Sequence, residues 1–269
     1  YVSGPSDYPL IQRQAPILPI CDFNGDGQVD GKDLLCMVAQ WATNDPVCDI
    51  GPFAWGDGIV DLQDIVALAE YIGKEVVDPA LIAHWALDET EGTAAHESID
   101  GRDGIVLGNP LWQPTGGQVD GALQFDGVIN CVSTGFVLDP AQGPFSVLAW
   151  VKGGAPGEVI ISQTNGANLL KADALGNIMT ELKSPNWGAA FLVSQTNITD
   201  GKWHRIGLVW DGSRRMLYVD GVVAAEDTQD ALPSSSNGLY FGTGKGMEPG
   251  SFFSGLIDEV RIYNRAVRP

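Results

Sequence analysis

The sequence predicts a mainly β protein: an antiparallel sandwich or barrel preceded by a small α-helical module. Three observations carry this reading. From Leu81 onward, short apolar runs recur between Gly, Asp and Asn turns, and some alternate with period two, as in Val147-Leu148-Ala149-Trp150-Val151. The 34 glycines and 16 prolines among 269 residues imply many turns and short elements. The convincing helical periods all precede Val77-Asp78-Pro79, where a proline ends the last of them. The chain is therefore expected to divide into an extended arm (1–20), a loop-and-helix module (21–77) and a strand-rich domain (78–269).

Composition narrows the function. Lys plus Arg is 15 and Asp plus Glu is 34, a formal charge of −19. Nucleic acid or an anionic membrane as main partner would want a basic face. A hydrophobic fraction of 44% is enough for a packed core, and no apolar run is long enough for a membrane helix. A first residue Tyr1, with no Met and no charged-then-apolar leader, fits an exported chain whose signal peptide is gone; a boundary drawn within a longer chain would look the same. Cys21, Cys36, Cys48 and Cys131 agree with export and allow three complete pairings, among which the sequence does not choose. A secreted or cell-surface, bacterial location is the expectation.

The first 20 residues are rich in Pro and aliphatics, without helical period. They form an arm that lies across its own domain or pairs with a neighbouring subunit by strand addition.

Residues 22–33 read DFNGDGQVDGKD. Oxygen side chains stand at positions 1, 3, 5, 9 and 12 (Asp22, Asn24, Asp26, Asp30 and Asp33). Gly27 is at 6, and Gln28 at 7 offers its carbonyl. Calcium takes six to eight hard oxygens, and carboxylates this crowded repel one another unless a cation lies between them. The pattern returns 31 residues later as Asp57, Gly58, Asp61 and Asp64, with Ile59 at the carbonyl position. Phe53 and Trp55 stand where positions 1 and 3 would be and cannot ligate, so Asp49 is the candidate to swing in. After each loop comes a helical stripe: Leu34, Met37, Val38 and Trp41, then Ile65, Leu68, Ala69 and Ile72. The two stripes are expected to bury against each other, since neither helix is long enough alone.

This duplicated loop-then-helix, over roughly Cys21 to Lys74, resembles the dockerin module. The resemblance implies Ca2+ as cofactor and docking to a cohesin receptor on an extracellular scaffold. Positions 10 and 11, which help choose the family's partner, are Gly31 and Lys32, then Leu62 and Gln63. They do not repeat the Ser-Thr-like pair of cellulosome dockerins.

The remainder gives, in order, HWALDE (84–89), QFDG (124–127), FSVLAWVK (145–152), DGKWHRIGLVWDG (200–212), LYVDGVVAA (217–225) and FSGLIDEVRIYNRA (253–266). This set resembles the laminin-G-like, concanavalin A-like jelly-roll family over about 81–265, which implies two curved antiparallel sheets packed face to face. Members commonly bind calcium, sugars or proteins without doing chemistry. A calcium joining the last strand to early ones would use Asp258 of the IDEV piece and Asp126 of QFDG; alternatively both acids hold turn backbones.

Trp85, Trp150, Trp203 and Trp210 fall within strand patterns and are expected in the core. Trp112 and Trp187 fall in turn-like sequence, and an exposed ring there would stack on a sugar or anchor a protein. Glycosidases need two carboxylates facing one cleft. No Glu-x-Asp-x-x-Glu run is present, and adjacent Asp258 and Glu259 are expected on opposite strand faces. The sequence thus points to a non-catalytic, calcium-binding structural or adhesion protein of an extracellular surface, matrix or filament. Its partners would be other copies of itself or an extracellular protein. The alternatives are a polysaccharide-binding lectin-like module and a cohesin-docked scaffold component.

Overall fold

The computed structural model of the chain describes residues 21–23, 29–45, 47–52, 56–73, 78–186 and 189–269. The arm (1–20), Asn24, Asp26, Gln28 and Trp187 lie outside them. The chain divides into two compact units that meet between Asp78 and Pro79.

The first unit contains helices α1 (Gly31–Ala39) and α2 (Leu62–Ala69). Asp30 and Asp61 are their N-caps, each completing a capping box with the acid three residues on, Asp33 or Asp64. Met37 and Leu68 are fully buried with Val29, Val60, Cys21 and Cys48, and Leu34 and Ile65 pack against them. The expected stripes are only half buried. Val38, Trp41 and Ile72 are 49%, 47% and 51% exposed. The helices stop at Ala39 and Ala69, so Trp41 and Ile72 lie beyond the last turn and the helical period no longer aims them inward. The repeats are strapped reciprocally: Ala42 N–H donates to the Val60 carbonyl and Gly73 N–H to that of Val29, at 2.9 and 3.0 Å. Donors and acceptors are each 31 residues apart, a local two-fold relation.

The second unit is a two-sheet antiparallel sandwich, as the sequence predicts. Its strands are β1 (Leu81–Trp85), β2 (Ala94–Ala95), β3 (Gly104–Leu107), β4 (Leu111–Gln113), β5 (Ala122–Gln124), β6 (Cys131–Phe136), β7 (Phe145–Gly153), β8 (Val159–Gln163), β9 (Asn168–Ala172), β10 (Asn177–Thr180), β11 (Leu192–Asn197), β12 (Trp203–Trp210), β13 (Arg214–Val219), β14 (Val222–Thr228), β15 (Gly238–Phe241) and β16 (Gly255–Tyr263). One sheet runs β14-β13-β12-β7-β16-β5-β4, with β1 also on β16; the other runs β11-β10-β9-β8-β15-β6-β3-β2.

Alternation fills the space between the sheets. Val147, Ala149 and Val151 of β7 face Ile161, Leu239 and Phe241 of the other sheet within one core. Trp85 meets Phe241 edge to face, with ring centroids 5.0 Å apart. Trp85 and Trp210 are buried as expected, whereas Trp150 and Trp203 are only half buried. Trp150 alternates with the core residues of β7, and period two sends it to the other face.

Candidate functional site

The acids of the first unit do gather around the loops, and the structure shows what holds them. Asp33 and Asp64, the twelfth residues of their loops, are both 0% exposed. Asp33 accepts the N–H groups of Phe23 and Asp30 at 2.7 and 2.8 Å. Asp64 accepts three, from Ile50, Gly51 and Asp61, at 2.7–2.8 Å. Asp49 reaches into the second loop, where its two oxygens accept Asp57 and Gly58 N–H at 2.9 and 2.8 Å. Gly56, at φ +70°, permits this approach: a Cβ there would lie 2.1 Å from Asp49 Oδ1. Asp30, Asp57 and Asp61 accept N–H groups two residues on, and Asp22 lies at the start of the first loop. Among the described residues no three acidic, His or Cys side chains converge on one point. The acids present are aimed at backbone N–H groups, which leaves their remaining lone pairs as the donor set a cation would use.

All four cysteines stand as thiols. Burial pushes Cys21 up to about 11 and Cys48 up to about 12, with nearby acids adding to both. These two thiols therefore stay protonated near neutral pH.

In the sandwich, the sequence paired Asp126 with Asp258, and the structure separates them. Asp126 is exposed, and its Oδ1 gathers the N–H groups of Val128, Ile129 and Asn130. The backbone of Phe125 and Gly127 bonds to Gly255 and Phe253, which sets Asp126 about four residues, or ~13 Å, from Asp258 along β16. Asp258 is 0% exposed. Its Oδ2 accepts Gln118 and Val119 N–H at 2.7 and 2.9 Å, while its Oδ1 is buried without a hydrogen-bond partner. Burial, reinforced by the charges of Glu259 and Asp88 and opposed by those N–H groups, raises its carboxyl to about 7. An orphaned carboxylate oxygen beside a second acid fits a cation. That second acid is Asp88 of the HWALDE piece, which sequence reasoning did not single out.

Glu259 departs from expectation as well. It lies at a register shift in β16 with φ +53°, so Asp258 and Glu259 are both buried instead of alternating. Glu259 Oε2 is 3.0 Å from His84 Nε2, and Ser98 Oγ is 3.2 Å from His84 Nδ1. This is the order of groups in a hydrolase triad. However, Ile99 and Asp100 N–H donate to Glu97, and Ser98 N–H donates to the His84 carbonyl. The donors an oxyanion beside Ser98 would need are already engaged, so the line serves as a strap between β1 and β16.

Trp112, expected in a turn, lies in β4, 9% exposed, with its indole N–H donating to the Gly92 carbonyl at 3.1 Å. It closes the floor of a cleft of about 270 Å³ whose walls include Thr90, Glu91, Asn109 and Leu111. Leu111 is 61% exposed at the mouth. The cleft offers an apolar floor with hydroxyl, amide and carboxylate groups at its sides.

Two antiparallel sheets packed face to face in this strand order define a jelly-roll-like class of β protein. The Laminin_G_3 family, described as the concanavalin A-like lectin/glucanases superfamily, matches residues 126–269. The chain belongs to this superfamily. No curated protein sequence matches the chain. Among solved structures it is similar to the binding domain of Paraclostridial Mosquitocidal Protein 1, with 11% identity, a TM-score of 0.58, and 70% of this chain and 49% of that one covered. The binding domain of botulinum neurotoxin serotype G gives 15%, 0.52, 70% and 48%. Trypanosoma rangeli sialidase in complex with sialic acid gives 17%, 0.54, 74% and 33%. The chain spans half or less of these proteins, and at such identities the likeness shows the fold alone.

Proposed function

We propose that the chain is a secreted, non-catalytic adhesion component whose sandwich recognises a carbohydrate at the Trp112 cleft. The observation that carries this is the contrast between the cleft and the acids. The cleft has an apolar floor, a polar rim and one carboxylate, Glu91, among its lining residues. Several other acids of the sandwich, Glu97, Glu158, Asp173 and Asp211 among them, are bound to backbone N–H groups. Retaining and inverting hydrolysis both need two carboxylates across one bond. The two toxin structures similar in fold are binding domains, which supports recognition over chemistry. A glycan array followed by titration tests the reading. Binding should weaken at least tenfold in Asn109→Ala or Leu111→Asp, both at the cleft mouth, and no sugar should be released. Binding unchanged in both variants would refute the cleft.

Calcium completes the proposal. The loop acids, with the Gln28 and Ile59 carbonyls, are proposed to hold one ion in the first loop and a second in the loop entered by Asp49. A third is proposed at Asp258 and Asp88. Bound there, it would supply the positive charge that lets those acids stay ionised in the folded chain.

A second reading rests on the first unit. Leu35, Val38 and Trp41 are exposed on or just past α1, and Leu62, Val66 and Ile72 on or just past α2. This supports docking to an extracellular protein, as the dockerin resemblance implies. Leu35→Asp with Val66→Asp should abolish such capture and leave the sandwich's glycan binding intact.

A further inference from the structure

Strand β9 bulges against β8. The register passes from Ile161↔Leu170 to Ser162↔Asn168, leaving Leu169 without an opposite number. Leu169 and Leu170 both enter the core at 0% exposure, so alternation is broken at that point. The bulge thereby returns Asn168 and Lys171, three residues apart, to the same outer face. Glu181, just past β10, joins them there. Lys171 Nζ donates to Glu181 Oε1 at 3.0 Å, and Asn168 Nδ2 donates to Glu181 Oε2 at 2.8 Å. One carboxylate thus holds an amine and a carboxamide side by side. The oxygen of that carboxamide, Asn168 Oδ1, accepts Lys245 N–H at 3.0 Å. Asn168 is 8% exposed and the Lys171 and Glu181 side chains 17% each, so little water reaches the group.

These are the parts of an acyl transfer: a nucleophile, a proton carrier touching both nucleophile and leaving group, and a donor on the oxygen where charge develops. The lysine stem is flexible enough to close the remaining gap to Asn168 Cγ. We propose that Lys171 and Asn168 join through an intramolecular amide bond, with Glu181 carrying the protons.

Glu181 takes one proton from the Lys171 ammonium, leaving a neutral amine. Nζ adds to Cγ of Asn168 while Lys245 N–H holds the oxygen. Glu181 then gives its proton to Nδ2 and takes one from Nζ. The Cγ–Nδ2 bond breaks, ammonia leaves, and Glu181 returns the proton left over to water. No oxidant, reductant or further reactant enters. The product ties the two flanks of the bulge together and fixes the carboxamide oxygen on which the Lys245 backbone hangs.

The test is the mass of the full chain, purified and denatured, with a tryptic map. The expected mass is below the sequence mass by one ammonia. Trypsin should leave residues 153–183 as one peptide carrying that loss, uncut after Lys171. Glu181→Gln and Lys171→Arg should each return to the mass of their own sequence. A wild-type chain at its full sequence mass would overturn the proposal. So would loss of ammonia with normal cleavage after Lys171, which marks a succinimide at an asparagine, such as Asn165 before Gly166, instead. Neither outcome bears on glycan binding.

Discussion

Asp258 shows how one side chain links burial to pH. Its folded value of about 7 lies above the ordinary carboxylate value. Between the two, the native state keeps a proton that the unfolded state has released, so stability falls as pH rises through that window. In chelator, the sandwich should lose roughly 2–4 kcal/mol between about pH 4 and pH 7. Asp258→Asn should flatten the slope, and Ca2+ should restore wild type alone; thermal melts across pH check both. His204 gives a slope of the same sign from a different cause: there the charged form is the one the fold favours. Its ring nitrogens lie 3.0 and 2.9 Å from Asp200 and Asp220, and those carboxylates raise its value against the lowering effect of burial. Its contribution is fully present below about pH 6.5 and is lost as pH rises through the raised value. His204→Gln should therefore destabilise the sandwich more in acid than in alkali. Arg215 is buried at 0% and bonds to Asp227 and to the Leu182 and Ala190 carbonyls. Arg215→Met should cost about 3–5 kcal/mol, read by denaturant unfolding, because Asp227 loses its counter-charge. Side chains such as these were hard to read in the sequence. Asp258 was found from its motif, but its neighbour Asp88 and the turn at Gln118 are brought to it by strand pairing across more than a hundred residues.

Elements with a local cause were legible. The 31-residue repeat placed both helices, and Asp30 and Asp61 cap them at the expected loop positions. Leu34, Met37, Ile65 and Leu68 turn inward as their spacing requires. What failed was width and extent: Val38 and Ala69 lie within the helices yet face outward, and the stripes were drawn one turn too long, because nothing in the local pattern marks the end of α1 before Trp41. The bulges in β9 and β16 were invisible for a related reason. A bulge is set by the partner strand, and it reverses the alternation from which faces are read. Asp64 carries the clearest element-scale test. Asp64→Ala leaves three backbone donors without an acceptor in a buried site, which costs about 1–3 kcal/mol for each group left unsatisfied. Amide exchange should quicken across 49–70 and stay unchanged in β7 and β12.

At the scale of the whole molecule the two units have different sources of stability. The sandwich has one continuous core drawn from both sheets. The first unit has two short helices around a few buried side chains, and helices of this length are marginal without outside support. With 13 acids against 3 basic residues in residues 1–79, a divalent cation is the natural source of that support. Chelation should therefore open the first unit to hydrogen exchange while the sandwich keeps its protection; equal protection with and without calcium would refute the loop sites. The architecture of the sandwich was readable from its motifs as a set, whereas its strand order was not. In that order β16 lies between β7 on one side and β1 and β5 on the other, so the last strand to be made is a central one. Until residue 263 has left the ribosome, β1 has no partner strand, β5 has only β4, and the sheet remains in three pieces. The sandwich must therefore wait unfinished until its C-terminal strand arrives, and a chain cut short before β16 should fail to close this sheet at all.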